Sequence, residues 1–282
     1  MLIRALVADG AVRLLVVEAT GPAAHAREVH GLGPDAARLA TETIVASALA
    51  SAHIKGEEQL TLQIQGTNPP CSVYADVTSG GNLRARVTPD DLTLGPDGRF
   101  SGILLVIKHT PGVEPYRGAT EIDDATLERG IGVHFGSSTQ VDAILRVGCV
   151  QAEDGEIRHA GGLLLERLPE ESDLPSIAVD AFTERYGWLR DAELDTILTG
   201  IAFGRLGDEP IDLLDRTEIR WQCRCSIGRI EETLSSLPAS ELVSMIAEDH
   251  GALVTCNFCN SAYTVTEERL REILAGMDPA IG

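Results

Sequence analysis

Apolar and polar residues alternate in short runs through the first part of the chain. Residues 2–8 and 11–19 form two such runs, and Asp9-Gly10 between them is typical of a two-residue β-hairpin turn. The further runs of strand length are residues 60–64, 72–78, 83–88, 102–109, 116–122, 141–150 and 157–166. This alternation predicts antiparallel sheets of half-buried strands.

Helical spacing of apolar residues is confined to fewer segments. A helix is predicted from residue 34 to about residue 54, with Leu39, Thr43 and Ala46 at helical intervals. A second helix is predicted over residues 123–135, because the two aspartates in its first turn are favourable at a helix N-terminus. Strands before and after helices, without a regular β-α-β alternation, predict an α+β fold.

The pattern changes after Pro169. Residues 173–220 are helical in pattern, and residues 170–220 carry 5 basic and 13 acidic groups, a net charge of −8. The apolar residues inside this acidic stretch are Tyr186, Trp188, Leu189, Ile197, Leu198, Ile201 and Phe203. We expect this series to pack on the first domain or to serve as its detachable cover.

Three parts are therefore predicted. They are an α+β core domain at residues 1–172 with antiparallel sheets, an acidic helical linker at residues 173–222, and a small C-terminal module at residues 223–282. In the module, Ser226 and Thr266 are predicted to cap helices, and Pro238 to open another. Its predicted core side chains are few: Ile230, Leu234, Leu237, Leu242, Met245, Ile246, Leu253, Phe258, Tyr263, Leu270 and Ile273. So small a core is marginal without a cross-link.

Four cysteines supply a candidate cross-link. Cys223-x-Cys225 and Cys256-x-x-Cys259 stand thirty residues apart, and two close pairs of thiols can converge on one tetrahedral Zn²⁺. Bound zinc contributes about 10–16 kcal/mol of apparent folding free energy in small modules. The single residue inside the first pair is unusual for a structural zinc site.

Three interpretations of these thiols stay open at this point. They are a permanent structural zinc module, a zinc-held redox switch, and extracellular disulfide cross-links. The first ten residues carry no pattern of a secretory signal, and no run of eighteen apolar residues is present to cross a membrane. We therefore expect a cytoplasmic protein, where thiols stay reduced and available to metal.

Composition narrows the classes of function. The net charge of −20 argues against nucleic acid and against anionic membrane surfaces as partners, because both attract clustered positive charge. The chain has neither a phosphate-binding loop nor a dinucleotide fingerprint, and its serines stand in no hydrolase motif, so we expect no enzyme. Cys71 and Cys149 are predicted to be inert core thiols, and His250 is expected not to replace a ligand.

The chain resembles the heat shock protein 33 family of redox-regulated holdase chaperones, nearly from end to end. The motifs that carry the resemblance are Cys223-x-Cys225, Cys256-Asn257-Phe258-Cys259-Asn260 with Tyr263, Leu2-Ile3-Arg4-Ala5, Ala8-Asp9-Gly10, Lys55-Gly56, Leu60-Thr61-Leu62-Gln63-Ile64 and Ala160-Gly161-Gly162. One departure is Ser138-Thr139-Gln140, where such proteins usually carry Ser-Glu-Gln.

The resemblance implies a mechanism. The reduced protein would hold one Zn²⁺ per chain through Cys223, Cys225, Cys256 and Cys259 and be inactive as a chaperone. Oxidation would form the disulfides Cys223–Cys225 and Cys256–Cys259, release zinc and unfold the module and linker. The protein, as a homodimer when oxidised, would then bind unfolded or oxidatively damaged client proteins without ATP.

Polymer physics agrees with that expectation. A disulfide between near neighbours closes a tiny loop and ties neither pair to the other, whereas one metal ion joins segments thirty residues apart. Exchange of the metal for local disulfides would therefore leave the module without a long-range cross-link. The alternative function is a constitutive adaptor or binding protein with a permanent structural zinc site.

Overall fold

The computed structural model describes residues 1–7, 12–139, 143–168 and 212–277. These residues fall into two compact units, Met1–Gln222 and Cys223–Gly282. Antiparallel sheets and helices are segregated along the chain, so the predicted α+β fold is confirmed. No helix among the described residues is long and apolar enough to cross a bilayer.

The first unit contains two sheets. Their strands are β1 (Leu2–Val7), β2 (Val12–Glu18), β3 (Gln59–Asn68), β4 (Pro70–Thr78), β5 (Asn82–Thr88), β6 (Phe100–His109), β7 (Tyr116–Ala125), β8 (Ala143–Gln151), β9 (Ile157–Arg167), β10 (Asp212–Thr217) and β11 (Arg220–Trp221). One sheet has the order β10-β1-β2-β9-β8 and the other β11-β5-β4-β3-β6-β7. All of these pairings are antiparallel except that of β11 with β5.

A helix buried on nearly all sides forms the centre of the first unit. It is α2 (Pro34–Ala50), which follows α1 (Thr20–His30), precedes α3 (Leu127–Thr139), and contacts strands of both sheets. Leu39, Ile44 and Leu49 are fully buried. The helix is apolar around most of its circumference because it is buried on most sides. Its many alanines let the two sheets approach it closely.

Most predicted elements are confirmed, although the predicted turn at Asp9-Gly10 lies outside the described residues. Val7 lies opposite Val12, as the predicted hairpin requires, and the helix from Pro34 ends in a 3₁₀ turn, Ser51–His53. Helix α1 was not predicted, since Thr20-Gly21-Pro22 resembles a turn.

Two local predictions are wrong. Asp123 and Asp124 belong to β7, and the helix begins only at Leu127. Pairing with β6 extends this strand to Ala125, so long-range hydrogen bonding overrides the local preference of aspartate for a helix start. Helical pattern was also predicted through residue 220, whereas Asp212–Thr217 is a strand of the first unit.

The rest of the predicted linker, with its apolar series from Tyr186 to Phe203, lies outside the described residues. The division into core domain, linker and module therefore stays a prediction. In the motif Ser138-Thr139-Gln140, the backbone of Ser138 and Thr139 belongs to the last turn of α3, and Gln140 lies outside the described residues.

The second unit is built from short elements. They are α4 (Ile227–Ser235), α5 (Ala239–Ser244) with a π turn at Met245–Asp249, the hairpin β12 (Gly251–Thr255) and β13 (Ala262–Thr266), and α6 (Glu267–Ala275). The predicted caps are confirmed. The hydroxyl of Ser226 accepts a hydrogen bond from the Arg229 N–H, and that of Thr266 accepts one from the Arg269 N–H, both at 3.3 Å.

The core of this second unit is small. Its buried apolar side chains among the described residues are Leu234, Leu242, Val265 and Leu270. Val265 was missed, and Leu253, predicted as core, is 72% exposed. In the hairpin Leu253 lies opposite Thr264 while Ala252 lies opposite Val265, so strand alternation turns Leu253 to the outer face.

Leu242 is fully buried in this core. We expect Leu242→Ala to lower the stability of the second unit by about 2–5 kcal/mol, because the small core cannot close the cavity. Hydrogen exchange of the amides in α4 and α6 measures the effect. Leu253→Ala, at an exposed site, is the control, and equal effects of both variants would contradict the core described above.

Candidate metal centre

Four thiol sulfurs converge in the second unit. Cys223 and Cys225 lie between β11 and α4, and Cys256 and Cys259 lie in the turn between β12 and β13. All four sulfur atoms are within 4.8 Å of one another. The structure thus brings together every cysteine that the sequence placed in the candidate site.

The second pair is held by a tight knuckle of backbone hydrogen bonds. The Asn260 N–H donates to the Cys256 carbonyl, and the Cys256 N–H donates to the Ser261 carbonyl, both at 2.9 Å. Asn260 has a φ of 54°, a left-handed conformation that asparagine tolerates better than most side chains. The Phe258 N–H also points at Cys256 Sγ, 3.5 Å away. The knuckle therefore aims both thiols to one side.

The first pair is oriented by the helix that follows it. Cys225 directly precedes Ser226, whose extended backbone and side-chain cap fix the start of α4. Tyr263, on the facing strand β13, donates its hydroxyl hydrogen to Cys225 Sγ at 3.0 Å. These restraints come from two different segments, so the position of Cys225 depends on the fold of the whole unit.

The spacing of the sulfurs fits a tetrahedral ion. Four ligands at about 2.3 Å from one zinc ion are separated from each other by about 3.8 Å. Cys223 and Cys256 are 3.6 Å apart, and Cys225 and Cys259 are 3.3 Å apart. Four thiols without a competing oxygen or nitrogen favour a soft or borderline metal such as zinc. The donor set therefore fits the ion that the sequence predicts.

The pKa values of Cys225, Cys256 and Cys259 are shifted in different directions. Burial is the largest cause that raises the pKa of Cys225 to about 12, and burial likewise raises the pKa of Cys256. Burial also opposes ionisation of Cys259, but hydrogen bonds with the hydroxyl and backbone of Ser261 help to lower its pKa to about 7. At neutral pH Cys225 and Cys256 thus keep their protons, which a cation would displace on binding.

Ser261 was missed as a contributor, although its position two residues after Cys259 was a possible signal. His250 is not part of the thiol group, and its Nδ1 contacts Glu267 Oε2 at 3.2 Å. In the first unit, burial raises the pKa of the Cys71 thiol and raises that of Cys149 to about 12. Both are therefore poor nucleophiles, in agreement with the predicted inert thiols.

Known proteins resemble this chain over nearly all of its length. The family model described as Hsp33 protein matches residues 1–266. The chain is 28% identical over 283 residues to the 33 kDa chaperonin of Shouchella clausii, with 96% of each chain covered. It is 25% identical over 287 residues to the 33 kDa chaperonin of Staphylococcus aureus, with 98% of each covered.

A solved structure shares the fold. The crystal structure of the 33 kDa chaperonin, a heat shock protein 33 homolog, from Thermotoga maritima superposes with a TM-score of 0.81. The alignment covers 97% of both chains at 22% sequence identity. A protein of widely different sequence therefore adopts the same fold.

Asn260 is the conformationally demanding position of the knuckle. We expect Asn260→Val to destabilise the second unit by about 1–3 kcal/mol, because a β-branched side chain is strained at positive φ. Asn260→Gly, which removes that strain, should be clearly less harmful. Thermal unfolding of the two variants, followed by circular dichroism, compares them, and equal losses would mean that backbone strain at residue 260 does not matter.

Proposed function

The chain belongs to the Hsp33 family of chaperones, and from that premise we propose that it is a redox-regulated, ATP-independent holdase. The observation that carries the proposal is the thiol cluster, which joins two segments of a unit with only a small core among its described residues. A unit of this kind stays folded while its cross-link lasts and loses its fold when the cross-link is removed.

In the reduced state, Cys223, Cys225, Cys256 and Cys259 are proposed to hold one zinc ion as thiolates. The ion supplies a long-range cross-link and favours the deprotonated sulfurs. The protein's own contribution is orientation: the knuckle around Asn260 and the hydroxyl of Tyr263 hold the sulfurs in place. In this state the protein is proposed to be inactive.

Oxidation is the proposed trigger. Two thiolates lose two electrons and form one S–S bond, while one molecule of hydrogen peroxide takes up these electrons together with two protons from solvent and becomes two molecules of water. Two molecules of peroxide therefore convert the four cysteines of one chain to two disulfides. With no thiolate left, the site no longer holds a cation.

The pairing of the cysteines decides the outcome. All four sulfurs are mutually close, so pairing across the segments, Cys223 with Cys256 and Cys225 with Cys259, is geometrically as accessible as pairing of near neighbours. Cross-pairing would preserve the link between the two segments. We propose the neighbour disulfides Cys223–Cys225 and Cys256–Cys259, since these alone leave the segments untied.

Loss of the second unit's fold is proposed to expose surface that binds unfolding or oxidatively damaged proteins and keeps them from aggregating. The oxidised protein is proposed to act as a homodimer in the cytoplasm. The role is binding rather than catalysis, and the partners are proteins rather than nucleic acid or membranes, in accord with the net charge of −20.

Peroxide at raised temperature should release about one zinc ion per chain, remove helical circular dichroism of the second unit, and switch on suppression of aggregation of a thermally unfolding client. A chromogenic chelator, circular dichroism and light scattering measure the three effects, and peptide mapping by mass spectrometry identifies the disulfides. Retained zinc, or zinc loss without new activity, would instead support a constitutive adaptor with a structural site.

Cys223→Ser removes one proposed ligand without adding bulk. Zinc affinity should fall by more than the roughly 10–100-fold that loss of an outer-sphere partner causes, and the second unit should loosen even in reductant. Competition with a chelator measures the affinity. Cys149→Ser, at a half-buried thiol of the first unit, is the control and should leave zinc binding unchanged. A Cys223 variant that still binds zinc tightly would point to a different ligand set.

A further inference from the structure

A single segment covers one outer edge of each sheet in the first unit. Residues 212–222, called the strap below, add β10 to the edge of β1 and β11 to the edge of β5. In the β10 pairing, Leu2 lies opposite Thr217 and Leu6 opposite Asp212. At the other end, the N–H groups of Arg220 and Gln222 donate to the carbonyls of Gly81 and Leu83 at 3.0 and 2.8 Å.

Backbone pairing, rather than side-chain burial, holds most of the strap. Asp212 to Arg216 are all exposed, and even Leu213 and Leu214 are 49% and 52% exposed. The main side-chain link of β10 is Arg4, which contacts Asp215 at 2.6 Å and Thr217 at 3.1 Å. The firmest attachment is Ile219, which is 6% exposed and belongs to the main hydrophobic core.

The backbones approach closely where the strap passes between the two sheets. Gly81, at a φ of +80°, lies under Thr217 and Glu218, and a Cβ at this position would collide with the Glu218 carbonyl. Trp221 then packs partly against the core, with its ring 5.1 Å from that of His25. The position of the strap is therefore fixed by specific contacts, and the strongest of these lie in its last four residues.

Removal of the strap would leave two strands with one unpaired side each. The side chains of Leu2, Ile3 and Ala5 in β1 are fully buried, so this strand would stay in place as part of the core while its outer N–H and C=O groups lost their partners. Such an edge binds another extended chain through main-chain hydrogen bonds.

We propose that the strap is an exchangeable strand, and that the edge of β1 it covers is a latent binding site for extended segments of unfolded polypeptides. This inference rests on the proposed holdase function and names the surface through which clients would bind. An edge whose present strand leaves nearly all of its side chains in solvent makes few demands on sequence. That property suits a binder of many different unfolded proteins.

The position of the strap along the chain links this edge to the thiol cluster. The strap ends at Gln222, and the next residue is Cys223. Strand β11 has only two residues, too few to persist by itself once the chain that follows loses its fold. Unfolding that starts at the cysteines would therefore reach β11 first, and release of Ile219, the firmest attachment, would be the step that then frees β10.

Hydrogen exchange of the full-length wild-type protein tests this sequence of events. On oxidation, the β1 amides that face the strap should exchange about tenfold faster or more, and an added unfolded client should protect them again. Onset of client binding while β1 stays protected throughout would overturn the proposal. So would protection regained without client as the protein dimerises, because the edge would then bind a second copy of this chain.

A variant separates the strap from the chemistry of the thiols. Ile219→Ala should loosen the strap, so that the protein retains its zinc and yet suppresses client aggregation in reductant. Leu214→Ala, at an exposed site on the same strap, should behave as wild type. If Ile219→Ala exposes β1 but stays inactive in reductant, while oxidised wild type is active, the edge site is refuted and the holdase function stands. If oxidised wild type is itself inactive, the proposed function fails first.

A peptide test does not depend on any variant. A synthetic peptide of residues 212–222 contains no cysteine and should displace client from the oxidised protein. The same peptide with alternate backbone nitrogens methylated cannot form the backbone hydrogen bonds of strand pairing and should not displace client. Equal competition by both peptides, or by neither, would mean that clients do not bind by strand addition.

Discussion

Convergence of four sulfur atoms is the constraint on which the second unit depends. Two segments thirty residues apart meet at the thiols, while the hydrophobic core in the described part of this unit consists of four buried apolar side chains and eight partly buried ones. Hydrophobic burial on that scale leaves little margin over the conformational entropy of sixty residues. Under the proposed function, a cross-link at the thiols would therefore control whether the unit is folded.

The first unit has the opposite balance. Helix α2 is buried between two sheets, and its core includes residues from nearly every described strand and helix of that unit. Loss of the strap would remove one strand of six residues and another of two from the outer edges, and would leave this core almost intact. This difference in core size agrees with the proposal that only the second unit loses its fold on oxidation.

Local pattern predicted the elements where burial has a simple period. The hairpin of β1 and β2, the strands of the larger sheet and the caps at Ser226 and Thr266 all follow from alternation or from capping chemistry. The pattern predicted the wrong element where pairing with a neighbouring strand decided the structure. Asp123 and Asp124 lie at an irregularity in the pairing of β7 with β6, between the paired residues Ile122 and Ala125, and so belong to the strand rather than to a helix.

The amino-acid sequence alone determined the identity of the four thiols, their spacing and the weakness of the core around them, because these depend on residue types and intervals. Only the tertiary structure showed that Ser261 and Tyr263 contact the sulfurs, that Val265 rather than Leu253 is buried, and that residues 212–222 close both sheet edges. The contact of Ser261 comes from the folded turn around Cys259, and the other features come from pairing between strands; neither leaves a periodic pattern in the sequence.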